Sequence, residues 1–165
     1  MTRTIRLSRE ERETLEHALT FEIRQYQNAQ DEFDDAACAR LGINRSDARC
    51  IDIIDMHGQL TAGRLAAESG LSTGAVTTLL DRLERAGYVQ RVRDTVDRRR
   101  VLVELTDEAR RRAGEIWGPI AAESAETIAG YSDAELVFLH EFLQNARDFL
   151  ARHLERITTE PPPAA

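Results

Sequence analysis

The stretch LTAGRLAAESGLSTGAVTTLLDRLERAGYVQRVRDTVDRRRVLVEL, residues 60–105, constrains the fold of this chain more than any other. Thr61 is placed to cap a helix over Arg64, Leu65, Ala66 and Ala67, and Gly70 to stop it in a left-handed turn. Ser72 caps a second helix. In it Val76, Leu79, Leu80, Leu83 and Ala86 recur at intervals of three and four and form one apolar face. Gly87 stands just past the end of that helix, where a left-handed residue terminates it. Val89 to Arg93 and Arg99 to Leu105 are β-prone runs separated by Asp94-Thr95-Val96-Asp97-Arg98. Val101, Val103 and Leu105 alternate with Leu102 and Glu104, the period of a half-buried strand.

Helix, glycine-containing turn, helix is the helix-turn-helix signature. A hairpin placed directly behind the second helix is a wing, and the tip of this one carries Arg98, Arg99 and Arg100. The combination resembles a winged helix-turn-helix DNA-binding domain, here over residues 44–106. Two other readings compete: a small α+β core whose arginines are merely solvated, and a winged protein-interaction module without specific DNA binding. The arginine-tipped wing speaks against both.

The formal charge of −7 looks unfavourable for a nucleic-acid partner, so its distribution matters. Between Arg82 and Arg100, seven arginines stand against Glu84, Asp94 and Asp97, a local +4, so the remainder carries −11. A positive strip on a negative body can dock one face on a phosphate backbone. All 22 basic residues are arginine.

Around this unit the pattern is helical. Ser8 and Glu11 have capping-box spacing, and the helix they open runs to about Ala39, ending at Gly42, with Leu15, Ala18, Leu19, Ile23 and Tyr26 on one face. About 30 residues make a rod of roughly 45 Å, longer than a small winged domain covers. A second helix opens near Asn44 or Ser46 and carries Cys50, Ile51, Ile53, Ile54 and Met56, with His57 and Gly58 in the turn that follows. Thr106 caps a helix beginning Asp107-Glu108-Ala109. Its Arg110, Arg111 and Arg112 read as a solvated face, and Trp117-Gly118-Pro119 is expected to bend or break it. Ser132 and Glu135 open a terminal helix with Leu136, Leu139, Leu143, Ala146, Leu150 and Leu154 at spacings of three and four, widened by Phe138, Phe142 and Phe149. Such a stripe needs a partner, either the first helix of the same chain or a second chain; a dimer is the favoured reading. Residues 1–7 are expected to be frayed, and residues 158–165, with three prolines, to be a disordered tail.

This order of elements and the wording of the motif resemble the MarR (multiple antibiotic resistance regulator) family of transcription factors, from about Ser8 to Ile157. Asp97-Arg98-Arg99-Arg100 followed by Val101-Leu102-Val103-Glu104-Leu105-Thr106 matches the family's wing pattern, D-x-R leading to a strand that ends Leu-Thr. Asp81-Arg82-Leu83-Glu84, then Gly87-Tyr88-Val89, matches the end of its recognition helix. Thr95-Val96 depart from it, where proline is often found. The resemblance implies a mainly α fold with a small β-hairpin wing. Residues 8–42 and 107–157 would be dimerisation helices, and a homodimer would grip a pseudo-palindrome in double-stranded DNA, most often as a repressor. It also implies control by a small molecule, often phenolic or otherwise aromatic, or by cysteine oxidation.

The residues themselves suggest the division of labour. Ser72, Thr73, Gly74, Thr77 and Thr78 are expected to enter the major groove, hydroxyls reading donor or acceptor edges and methyls touching thymine. Arg82 and Arg85 suit phosphate, or a pair with Asp81. Arg99 is expected in the minor groove, as in the family, where narrow A·T tracts are most negative. Asp97 would hold the tip, and Arg91, Arg93, Arg98 and Arg100 would meet phosphates. The family's effector pocket lies between the winged domain and the dimer helices, which makes His17, Tyr26, Asp55, His57 and Trp117 the polar or aromatic candidates.

Other functions are disfavoured. There is no glycine-rich phosphate loop, G-x-S-x-G or H-E-x-x-H motif, so an enzyme is not expected. The four histidines lack ligand spacing with cysteines or carboxylates, so neither a metal nor another cofactor is expected. Cys38 and Cys50 make no disulfide framework, and the peroxide-sensing branch carries its reactive cysteine near the start of the first helix, where this chain has none; inert thiols are expected. With no apolar run of membrane length and no signal-like N-terminus, a cytoplasmic protein without membrane contact is expected.

Overall fold

The fold is that of a computed structural model, which describes residues 6–160. The elements are α1 (Arg9–Leu41), α2 (Arg45–His57), β1 (Gln59–Leu60), α3 (Ala62–Ser69), α4 (Thr73–Arg85), β2 (Val89–Arg93), β3 (Val101–Leu105), α5 (Asp107–Ala129) and α6 (Asp133–Thr159). They divide into two compact units, one reaching to Ile116 and the other starting at Trp117.

The first unit holds the core. Ile54, Leu65, Val76, Leu80, Leu83, Val103 and Cys50 are fully buried, joined by Leu60, Leu79, Tyr88, Val89, Leu105 and Ala109. Each fully buried Leu or Ile contributes about 1.5–3 kcal/mol relative to exposure, so helices α2 to α4 and the sheet stand on one shared apolar centre. Val76, Leu79, Leu80 and Leu83 sink into it as their spacing requires, whereas Ala86 remains exposed. On α2, Ile53 and Ile54 point inward but Met56 is 75% exposed. Its position on the helix, rather than its apolar character, decides its burial.

The sheet has three antiparallel strands in the order β1-β3-β2, one more than the hairpin predicted from sequence. Leu60 pairs with Val103 and Gln59 with Glu104, while β2 runs along the other edge of β3 from Val89 opposite Leu105 to Arg93 opposite Val101. The second strand begins at Val101, so Arg99 and Arg100 belong to the turn rather than to the strand assigned to them from sequence.

The long helices behave differently. Ser8 and Glu11 cap α1 reciprocally, Gly42 closes it in a left-handed conformation, and only Ala37 and Cys38 among its residues are buried. At 33 residues it is about 50 Å long. Helix α2 opens at Asn44, with a second capping box through Asp47, and extends through His57, one residue further than the turn expected there. Helix α5 is not broken at Trp117-Gly118-Pro119: it runs through Pro119 to Ala129. Proline removes one amide donor and crowds one carbonyl a turn back, a cost that flanking hydrogen bonds in a long helix can absorb. In the second unit, Ser132 and Glu135 cap α6, which buries no residue at all. Thr158 and Thr159 are its last residues, not part of a disordered tail. The readings for residues 1–5 and 161–165 lie outside the described residues.

Candidate nucleic-acid interface

Helix α4 is held by its inner face and leaves its outer face bare. Ser72 Oγ accepts the Ala75 amide at its N-terminus. Ser72, Thr73, Gly74, Thr77 and Thr78 are all exposed. Thr77 Oγ1 lies 2.9 Å from the Thr73 carbonyl oxygen and Thr78 Oγ1 3.2 Å from that of Gly74. A carbonyl only accepts, so both hydroxyls donate inward and turn lone pairs and methyl groups outward. A Cβ added at Gly74 would meet nothing within 4 Å, so nothing inside the chain requires glycine there.

The wing is a self-bonded loop on two strands. The Asp94 amide donates to the Arg100 carbonyl at 3.1 Å, and the Arg100 amide to that of Asp97 at 2.9 Å. The Asp97 carboxylate accepts the Arg99 amide at 3.0 Å, the tip-holding role expected of it. Asp94, which sequence reasoning passed over, does more: its carboxylate accepts the amides of Val96 at 2.8 Å and Asp97 at 3.3 Å. Those two bonds, with the Arg100 guanidinium 3.8 Å away, hold the Asp94 carboxyl below its ordinary value. The Asp-x-x-Asp spacing in this turn was the available signal. Arg93, Arg98 and Arg99 are exposed, and their side chains enter no ion pair among the described residues.

Three arginines read as phosphate contacts, Arg91, Arg82 and Arg85, also have partners inside the domain. Arg91 reaches Asp81 at 2.5 Å and also pairs with Glu84, tying β2 to α4. Arg82 pairs with Asp47 of α2, not with its neighbour Asp81. Arg85 donates to the Asp81 carbonyl through Nε. In α5, Arg111 and Arg112 are not simply solvated. Both bind Glu108, holding its carboxyl down at about 2, and the Arg112 guanidinium stands 5.4 Å from the Tyr88 ring centre. Tyr88 in turn donates its hydroxyl to the Leu41 carbonyl, joining the end of α1 to the start of the wing.

Of the five effector candidates, four belong to the first unit. His17 and Tyr26 lie exposed on α1, and Asp55 is exposed near the end of α2. His57 is engaged within the winged domain: Nε2 is 2.5 Å from Glu68, and Arg64 donates to Nδ1 at 3.3 Å. Trp117 belongs to the second unit. Surface grooves along Leu7–Ala18 and Ile120–Ile128 are lined by none of the five. Both cysteines are buried, and burial pushes both thiols up, away from the reactive thiolate. Among the described residues no His, Cys, Asp and Glu side chains form a group able to hold a metal ion. No described helix is long and apolar enough to cross a membrane.

Comparison with known proteins decides the family. The sequence model of the MarR family matches residues 43–101, from the foot of α2 to the start of β3. YcgE of Bacillus subtilis, named an uncharacterized HTH-type transcriptional regulator, is 37% identical over 125 residues, 76% of this chain and 81% of its own. The chain belongs to the MarR family. It is a winged helix-turn-helix transcriptional regulator of that family. The HTH-type transcriptional repressor YetL of the same organism is 32% identical over 77 residues, 47% of this chain and 46% of its own. Among solved structures, FabT of Streptococcus pneumoniae in complex with DNA matches with a TM-score of 0.58 and 27% identity, over 81% of this chain and 98% of FabT.

Proposed function

We propose that this MarR-family protein is a homodimeric repressor that binds a pseudo-palindromic DNA site and releases it in response to a small aromatic effector. One observation carries the DNA-binding part. The face of α4 bearing Ser72, Thr73, Gly74, Thr77 and Thr78 is bare and side-chain-poor without any intramolecular reason, and the wing offers Arg98 and Arg99 with no internal partner. A reading helix needs close approach, and a wing entering a groove needs uncommitted cations. Asp97 and Asp94 shape the tip, and Arg93 and Arg100 flank it. The DNA-bound FabT supports the partner, and YetL's name supports repression.

The dimer is supported by the apolar residues that one chain leaves uncovered: Leu15, Leu19, Ile23 and Tyr26 of α1, and Phe138, Leu143, Leu150 and Leu154 of α6, are all exposed. Stripes of this size belong in an interface. A two-fold pair of reading helices then implies two half-sites about one helical turn apart, in the compartment where DNA and transcription are found. Selection of bound sequences from a random DNA pool tests the reading. An enriched inverted repeat is expected, lost when phenolic compounds are added. No enrichment at low ionic strength overturns it.

A further inference from the structure

Asp47 is the one charged or polar residue among the described residues whose side chain is buried, 3% exposed, and neither the DNA contacts nor the dimer faces use it. It stands at the start of α2, where its two carboxylate oxygens serve different helices. Oδ2 accepts the Asn44 amide at 3.3 Å and completes the cap of its own helix. Oδ1 receives Nη2 of Arg82, 35 residues further along, on α4. Arg45, two residues before Asp47, grips α1 at the same corner: Nε lies 2.6 Å from Asp35, Nη1 2.9 Å from Asp34, and Nη2 2.6 Å from the Asp31 carbonyl. The α2 N-terminus thus fastens α1 on one side and the reading helix on the other.

The apolar contacts of α4 cannot supply what this pair does. Val76, Leu79, Leu80 and Leu83 fix how deep the helix sits, but apolar burial is non-directional. A guanidinium on a carboxylate is directional, and Arg82 lies one turn beyond Thr78, so the bond sets the rotation of the helix about its axis. We propose that Arg82 and Asp47 are a positioning pair that aims the Thr77 and Thr78 face at the bases, and that Arg82 is not a phosphate contact. This rests on the DNA-binding reading above and assigns to the pair a share of its specificity.

The test measures binding of D47N, R82Q and the D47N/R82Q double variant to the selected DNA site and to a random duplex, by fluorescence anisotropy at several salt concentrations. Thermal melts run alongside. The expected result is a loss of about tenfold to a hundredfold in specific affinity, the scale of one base-reading contact, for each single variant. The double variant is expected to be no worse than either, with an unchanged slope of log affinity against log salt and unchanged random-duplex binding. R82Q is accessible even if D47N proves unstable, since the Arg82 side chain is half exposed. A salt slope shallower by about 0.9 in R82Q, with D47N binding normally, makes Arg82 a phosphate contact and overturns the proposal. Lower melting temperatures with unaltered affinity of the folded protein make the pair merely stabilising and overturn it too. Wild-type protein without sequence preference overturns the DNA-binding reading and the pair's role together, whereas specific wild-type binding with unaffected variants overturns the pair's role alone.

Discussion

Gly74 is a residue whose cost inside the chain is plain and whose benefit, on the DNA-binding reading proposed above, lies outside it. Glycine within a helix costs about 0.5–1 kcal/mol relative to alanine, and the space beside Gly74 is open. Gly74→Ala is therefore expected to raise the unfolding free energy by about that amount in urea denaturation while weakening DNA binding. Arg99 is the complementary case, a cation that does nothing for the fold. Arg99→Ala is expected to leave stability unchanged and to weaken specific binding by about 1–3 kcal/mol, on the scale of a groove contact. Unchanged affinity at fixed salt would remove the minor-groove role. The roles of Asp97 and Gly87 were legible in sequence because a turn or a helix stop is a local matter. Asp47 was not: its spacing from Asn44 advertises only a cap, and its partner is 35 residues away. For the same reason the pairing of Arg82 with Asp47, and of Arg91 with Asp81 and Glu84, was not evident before the fold was in hand.

At the scale of elements, the caps made the helices readable. Ser8, Thr61, Ser72 and Ser132 each accept an amide three residues on, as their sequence context predicted. Strand β1 was invisible because two residues carry no period, and it exists only because β3 offers an edge. The helix is not broken at Pro119, because a rule about donors and clashes does not say how much a long helix can absorb. The first turn of α5 allows a pH test. Glu108, bonded to Arg111 and Arg112, titrates at about 2 against an ordinary 4.5. A folded value below the unfolded one means that its stabilisation is complete above about pH 4.5 and fades as the pH falls to about 2. Glu108→Gln is expected to melt slightly below wild type at neutral pH, and the two melting temperatures should converge near pH 2. A gap of constant size across that range would mean that the carboxylate's charge contributes nothing.

For the whole molecule, the division between a covered centre and uncovered long helices is the feature with most functional weight. Residues 44–106 contain nearly all the buried side chains, whereas α1 and α6 expose theirs. Leu143, 64% exposed on α6, is where a second chain is expected to be felt. Leu143→Glu should shift sedimentation from dimer to monomer and weaken binding to the full inverted repeat far more than to a single half-site, because the two domains are no longer tethered. A variant that remains dimeric would move the interface elsewhere. Since α6 has no buried residue and only Leu136 and Ala146 half-buried within its own chain, there is little in that chain to keep a 27-residue helix wound. Dilution should therefore unwind it at temperatures that leave the winged core intact, and the amount of protein in the cell would govern how much of it exists in a form able to hold an operator.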